Sequence, residues 1–226
     1  MLTVGLGAAA VAADEHPKTR LAPPTGLQAW PHPPAPAQPA DWSDIMPPPD
    51  LKGWSRIAFP PTNSLGRAQW HLDAARQVLV CDGDGGHDLL RFDRQLTNCA
   101  LHVECRFLPA TGPRTNHNSG IFIRNSADGA VWHQCQLAPD GGYLFGQTPA
   151  GAELKAFAAP RGEQRMKSAG EWNTVEVRAE GRLLTVWLNG AEVSRFSDCD
   201  QPAGYVALEA EGYGTEFRNL KLKQLP

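Results

Sequence analysis

The chain has 226 residues, 42% of them hydrophobic and 20% charged, with a formal net charge of −3. That length can bury a full core, and the balance is that of a globular protein rather than a disordered one. Lys and Arg number 21 against 24 Asp and Glu, with no basic block, which excludes nucleic acid as a partner because phosphate binding needs clustered cations.

The chain opens on an apolar run of small residues, LTVGLGAAAVAA, followed by Asp14-Glu15-His16. Residues 1–13 therefore read as a signal-peptide remnant without the usual positive start, a short buried helix being the competing reading. On the first reading the protein is exported, periplasmic or secreted. The run is too short to span a bilayer and no later stretch approaches that length, so no membrane span is expected. Residues 14–40 read as a proline-rich linker, because PPTGLQAWPHPPAPAQPADWSDIMPPP favours extended polyproline conformations and forms no helix or central strand. Trp30, Trp42 and Trp54 are candidate anchors where this arm reaches the folded domain, assigned to residues 41–226.

From about Gly53 the pattern becomes short strands separated by turn residues. Leu101, Val103, Cys105 and Phe107 alternate with His102, Glu104 and Arg106. Val175 and Val177 alternate with Glu176 and Arg178, and Leu184, Val186 and Leu188 share a face, as do Val206, Leu208 and Ala210. Half-buried antiparallel strands produce this period of two. Asn189-Gly190 marks a two-residue hairpin, Glu180-Gly181-Arg182 a second turn, and Asp140-Gly141-Gly142 a third. With no amphipathic helix after residue 50, the fold class is all-β, an antiparallel β-sandwich with an extended N-terminal arm. Cys81, Cys99, Cys105, Cys135 and Cys199 match no zinc or redox spacing. One or two disulfides after export, or buried free thiols, are the two outcomes for them.

NSGIFIR (residues 118–124), QCQL (134–137), GEWN (170–173), WLNG (187–190) and EFRNLKLKQL (216–225) occur in that order, and DLKGW (50–54) precedes them. Together they resemble the 3-keto-disaccharide hydrolase domain family, over about Trp42 to Leu225. The resemblance implies a concanavalin-like jelly roll, exported sugar metabolism, and cleavage of glycosides already oxidised at C3. The family's pattern has Glu-x-Gln where this chain has Gln134-Cys135-Gln136. Glutamine neither takes nor gives a proton, so a carboxylate needed there is lost or relocated.

Strand parity sorts the candidate site. With Ile121 and Ile123 inward, Phe122 and Arg124 face the other way. With Cys135 and Leu137 inward, Trp132, Gln134 and Gln136 face out. Glu104, Arg106, Glu209 and Glu211 project outward by the same rule, and Asn118 leads into the first of these strands. If the strands are neighbours, an aromatic platform, amides, guanidinium groups and carboxylates converge, the mixture that binds sugar hydroxyls and ring faces. Bland alternatives stand beside each. Arg124 could pair with Glu104 across strands, Glu211 could be a solvated carboxylate, and Gln134 and Gln136 could serve loop backbone. Trp172 reads as core, Asn173 as a turn cap, and Arg218-Asn219 as holding the last strand. His87, His117 and His133 are unassigned ligands or bases.

A 3-keto group acidifies the C2 proton, so elimination needs a base, a donor for the enolate and an acid for the leaving oxygen. Glu211 is the expected base, Arg124 the donor, and His133 or His117 the acid, with Asn118, Phe122, Trp132, Gln134, Gln136, Glu104, Arg106 and Glu209 binding substrate. His133 falls on the core side of its strand unless a bulge intervenes. The expected partner is a carbohydrate, an oxidised disaccharide or glycoside. No cofactor is firmly implied, no metal ligands are assigned, and a divalent metal is left open. The alternative function is a noncatalytic carbohydrate-binding sandwich, which the Gln134 departure favours.

Overall fold

A computed structural model describes residues 41–109 and 117–226. The expectations for residues 1–40, the leader, the linker and Trp30 among them, lie outside the described residues. Among these there are fifteen strands and no helix. In chain order they are β1 (Ser43–Asp44), β2 (Trp54–Ala58), β3 (Trp70–Asp73), β4 (Val78–Cys81), β5 (Asp88–Phe92), β6 (Cys99–Phe107), β7 (Ser119–Asn125) and β8 (Trp132–Leu137). They continue as β9 (Leu144–Ala150), β10 (Glu153–Ala158), β11 (Asn173–Glu180), β12 (Leu183–Leu188), β13 (Ala191–Phe196), β14 (Tyr205–Ala210) and β15 (Thr215–Gln224).

Two antiparallel sheets form a sandwich. The first runs β13-β12-β11-β6-β15-β4-β3, with β1 also paired to β15, and the second runs β10-β9-β8-β7-β14-β5-β2. The expected faces are the observed ones. Val103, Val175, Leu184, Val186 and Leu188 are fully buried between the sheets, and Ile121, Ile123, Cys135, Val206 and Leu208 meet them from the other side. Each such aliphatic side chain contributes about 1.5–3 kcal/mol through removal from water. Asn189 and Gly190 both take positive φ, 50° and 85°, in the β12–β13 hairpin, the backbone twist that a two-residue turn between strands requires.

The described chain is tied down where it begins. Asp44 of β1 accepts an ion pair from Lys221 at 2.7 Å, and the Trp42 ring meets His102 edge-on at 6.2 Å. Trp54 is buried and donates its indole N–H to the Ile45 carbonyl at 3.1 Å. All five cysteines are buried free thiols rather than disulfides. Burial pushes the Cys81 and Cys105 thiols up to about 12, so they stay protonated and inert.

Alternation fails at one residue. Arg124 has φ 57°, and the β7–β14 register slips between Tyr205 and Ala207. This bulge turns Arg124 away from the face it would share with Phe122. Its fully buried guanidinium ties loops together, donating Nε to the Thr97 carbonyl at 3.0 Å, Nη1 to the Gln201 carbonyl at 2.6 Å and Nη2 to Asn98 Oδ1 at 3.1 Å.

Candidate functional site

The outer face of the second sheet carries a polar recess built around a glycine. Gly120 of β7 pairs with Gln136 of β8, and the β14 register continues to set Glu209 on its other side. A side chain at Gly120 would fill the space between them: an added Cβ would lie 2.4 Å from Gln134 Nε2 and 2.7 Å from Glu209 Oε2. Because the glycine leaves this gap, side chains from β8 and β14 bond to each other across the strand that separates them. Gln134 Nε2 donates to Glu209 Oε2 at 2.7 Å and to Gln136 Oε1 at 3.2 Å. Gln136 Nε2 donates to Asn118 Oδ1, and Asn118 Nδ2 donates to Glu211 Oε2. On the far side His87 Nε2 lies 2.8 Å from Glu209 Oε1. The result is a hydrogen-bonded arc, His87–Glu209–Gln134–Gln136–Asn118–Glu211, whose floor is buried and whose two ends, His87 and Glu211, are half-exposed.

The ends of the arc differ in charge preference. Burial pushes the Glu211 carboxyl up to about 7, and the neighbouring Glu209 charge adds to this while His87 opposes it. For His87, burial works against the charged ring. The hydrogen bond to Glu209 and the charges of Glu209, Glu211 and Asp88 outweigh it and raise the imidazolium's pKa above its usual value. The recess therefore sets a carboxyl raised to about 7 beside an imidazole whose charged form is favoured, a pairing of the kind that acid–base chemistry uses. Glu211 Oε1 accepts no hydrogen bond among the described residues, which leaves it open for a ligand. His87, Glu209 and Glu211 also bring ligand atoms within 4.8 Å of one another, a nitrogen and two carboxylate oxygens that suit a divalent cation.

An apolar wall adjoins the recess. The Phe59 ring is 5.1 Å from His87, 5.2 Å from Phe122 and 5.5 Å from Trp132, all nearly edge-to-face. Phe122 lies wholly beneath these rings. Of Phe59, Phe122 and Trp132, it is Trp132 that keeps exposed surface beside Gln134.

The family described as a 3-keto-alpha-glucoside-1,2-lyase-like domain matches residues 41–223. The chain belongs to this family. Its fold is shared with distant solved structures. A carbohydrate-binding module of Bacillus subtilis, CBM66, matches with a TM-score of 0.59 at 13% identity, covering 76% of this chain and 96% of its own. A putative glycosyl hydrolase of Parabacteroides distasonis matches at 0.55 and 15% identity, over 78% and 90% of the two chains. A B. subtilis protein of unknown function with a galectin-like fold matches at 0.53 and 10% identity, over 77% and 90%. No curated protein matches the chain.

Gln134 has a carboxylate as its counterpart in space. Gln134 is bonded to a carboxylate, Glu209, that stands on the opposite side of Gly120. The structure thus brings together Asn118, Gln134, Gln136, Glu209 and Glu211, with Trp132 at their margin. Phe122 is on the expected face but wholly buried, so it supports the wall rather than touching a ligand.

Four expected site residues lie elsewhere. Arg124, turned by its bulge, is an internal tie and no enolate donor, and it does not pair with Glu104. His133 is fully buried between the sheets, with Nε2 3.1 Å from Thr148 Oγ1, and burial lowers its pKa to about 4, so the ring is neutral near pH 7 and, out of reach of the recess, is no acid for it. Glu104 and Arg106 sit on β6 of the other sheet, on its outer surface, where β14 is not a neighbour. There Glu104 pairs with Arg218 at 2.7 Å and Arg106 with Glu216 at 2.7 Å. Trp172 is not core either: Arg106 and Arg218 lie over its ring, at 4.6 and 4.0 Å from the centroid. His87, which carried no assigned role, is the histidine that joins the site, because β5 pairs with β14 and delivers it against Glu209.

Proposed function

We propose that the protein cleaves glycosides oxidised at C3 by elimination, with Glu211 as base and His87 as acid. The observation that carries this is the half-exposed Glu211 carboxyl, raised to about 7 and with one oxygen uncommitted, beside the His87–Glu209 pair. Glu211 takes the C2 proton, and the electron pair left at C2 forms the C1=C2 bond as the C1–O bond breaks. The leaving oxygen receives the proton of the His87 imidazolium. Water then adds across C1=C2 to give the free keto sugar. Asn118 orients the base, Glu209 holds the imidazole, and the Gln134–Gln136 amides supply the floor against sugar hydroxyls. Family membership supports the substrate class, and the Trp132 wall suits the C–H face of a pyranose. From the apolar run in residues 1–13 alone we also propose that the protein is exported.

The test is incubation with 3-keto-trehalose and 3-keto-lactose, with and without divalent metals, beside Glu211→Gln. Release of sugar by the parent, with solvent deuterium incorporated at C2, and none by the variant is the expected result. Saturable binding without turnover by the parent would overturn the catalytic reading and leave a carbohydrate-binding sandwich.

A further inference from the structure

Elimination beside a ketone makes three demands: a base for the C2 proton, an acid for the oxygen leaving C1, and a donor for the C3 oxygen, which gains negative charge as the proton departs. Arg124, the donor expected from the sequence, is tied inside the fold. The amide N–H groups of the recess are the other source, and their partners single out one. An ionised carboxylate only accepts hydrogen bonds, so the two carboxylates of the arc fix how its amides are turned. Gln134 Nε2 commits its two N–H groups to Glu209 Oε2 and Gln136 Oε1. Gln136 Nε2 donates to Asn118 Oδ1 and reaches the Leu137 carbonyl at 3.4 Å. Asn118 Nδ2 donates to Glu211 Oε2 and makes no other hydrogen bond among the described residues. One N–H of this half-exposed amide therefore stays free beside the base.

Strand order puts that N–H on the side where the ketone falls. The β14–β5 register pairs Ala210 with Asp88 and, one step on, brings Glu211 beside His87. The β14–β7 register pairs Leu208 with Ile121 and, continued past the end of β14, brings Glu211 beside Asn118, a pairing that the Asn118–Glu211 hydrogen bond bears out. His87, Glu211 and Asn118 thus form one row in the strand order β5, β14, β7, with strands about 4.8 Å apart. The reacting atoms of the sugar have the same order: the leaving oxygen on C1, the proton on C2, the ketone oxygen on C3. A ring laid along the row with C1 toward β5 meets acid, base and donor together.

Resting on the elimination reading above, we infer that Asn118, through its free N–H, holds the C3 oxygen while that oxygen carries the enolate charge. When Glu211 takes the C2 proton, the electron pair of the C2–H bond spreads through C3 onto this oxygen. The pair returns to form the C1=C2 bond as the C1–O bond breaks, and the leaving oxygen takes the His87 proton. One preoriented donor to such an oxygen is worth roughly 10²–10³ in rate. A single amide thus serves the step twice, turning the base with one N–H and receiving the charge with the other.

The probe is 1,5-anhydro-3-keto-glucitol, which keeps the C2 proton and the C3 ketone but has nothing to expel from C1. Exchange of its C2 proton in heavy water therefore reads enolisation alone. The parent, Asn118→Ala and Glu211→Gln are compared in this exchange and in the infrared frequency of the bound carbonyl, labelled with carbon-13 at C3. Asn118→Ala is expected to slow exchange at saturating probe about a hundredfold and to raise the carbonyl frequency. Glu211→Gln is expected to abolish exchange and leave the carbonyl at the parent frequency. A residue that only turned the base would slow exchange without moving the carbonyl band. An unmoved band in Asn118→Ala, or exchange within a few-fold of the parent, would therefore overturn the donor while elimination stands. If the parent neither exchanges the C2 proton nor releases sugar from 3-keto-trehalose, elimination itself fails and the donor falls with it. Asn118 is half-exposed and precedes β7, so its truncation leaves the packed strands in place, which thermal unfolding checks.

Discussion

Gly120→Ala separates the site from the fold. Gly120 has ordinary extended backbone, so alanine is conformationally allowed and removes the strand-glycine penalty of about 0.5–1 kcal/mol. Against that, the new Cβ would stand 2.4 Å from Gln134 Nε2 and 2.7 Å from Glu209 Oε2, contacts that side-chain ends relieve by moving apart. Their separation breaks a buried hydrogen bond to a carboxylate, which costs about 1.5–3 kcal/mol. The net is a destabilisation of about 0.5–2.5 kcal/mol, a drop of a few degrees in Tm for a domain of this size. The site loses more than the fold does, because the methyl group occupies the floor and Glu209 is no longer held on both oxygens. Sugar affinity, or kcat/KM if turnover is found, is expected to fall at least tenfold, which corresponds to about 1.4 kcal/mol. Thermal unfolding and calorimetric titration on one preparation read both quantities. A variant that keeps the parent's affinity and rate with a similar Tm would refute the placement of the ligand over Gly120.

The remaining predictions concern charge and burial. The rate is expected to rise with pH through about 7, as Glu211 loses its proton, and stopped-time assays from pH 5 to 9 should show that limb. The same elevation has a stability sign. Between the unfolded value of about 4.5 and the folded value near 7 the native state holds the extra proton, so stability falls as pH rises through that window. Glu211→Gln should therefore gain on the parent progressively from pH 4.5 to 7, measured by urea unfolding. Arg124→Ala should cost 3 kcal/mol or more, on the order expected when a buried hydrogen-bond network is broken. Its folded fraction should bind ligand normally, since the residue is remote from the recess. The five thiols should resist Ellman-type reagents in the native state and titrate only on unfolding. Rapid labelling of the native protein would contradict their burial.

Most strand faces could be read from the chain. In β6, β11, β12 and β14 every apolar residue of the alternating sets faces inward, because a period of two leaves no other way to bury one side. Parity, however, assigns a side chain to a face of its own strand and says nothing of which sheet the strand joins. Glu104 and Glu209 obey the same rule and end on opposite surfaces of the sandwich, since β6 pairs with β11 and β15 while β14 pairs with β5 and β7. Arg124 escaped for a different reason: positive φ is usually announced by Gly or Asn, and an arginine in a bulge carries no such sign. His133 followed its parity to the core. His87 sits one residue before β5, outside any alternating set, and only the β5–β14 pairing gives it meaning.

The gap at Gly120 makes positions 134 and 209 a permutable pair. Because the two side chains touch over a residue with no side chain, one amide and one acid satisfy the contact whichever strand supplies which. Exchanging them, as Gln134→Glu with Glu209→Gln, keeps the charge and the hydrogen bond but moves the anion across that contact, from the side chain that meets His87 to the one that does not. Which of the two strands carries the acid thus decides whether His87 has a carboxylate or an amide as its partner, with the fold unchanged.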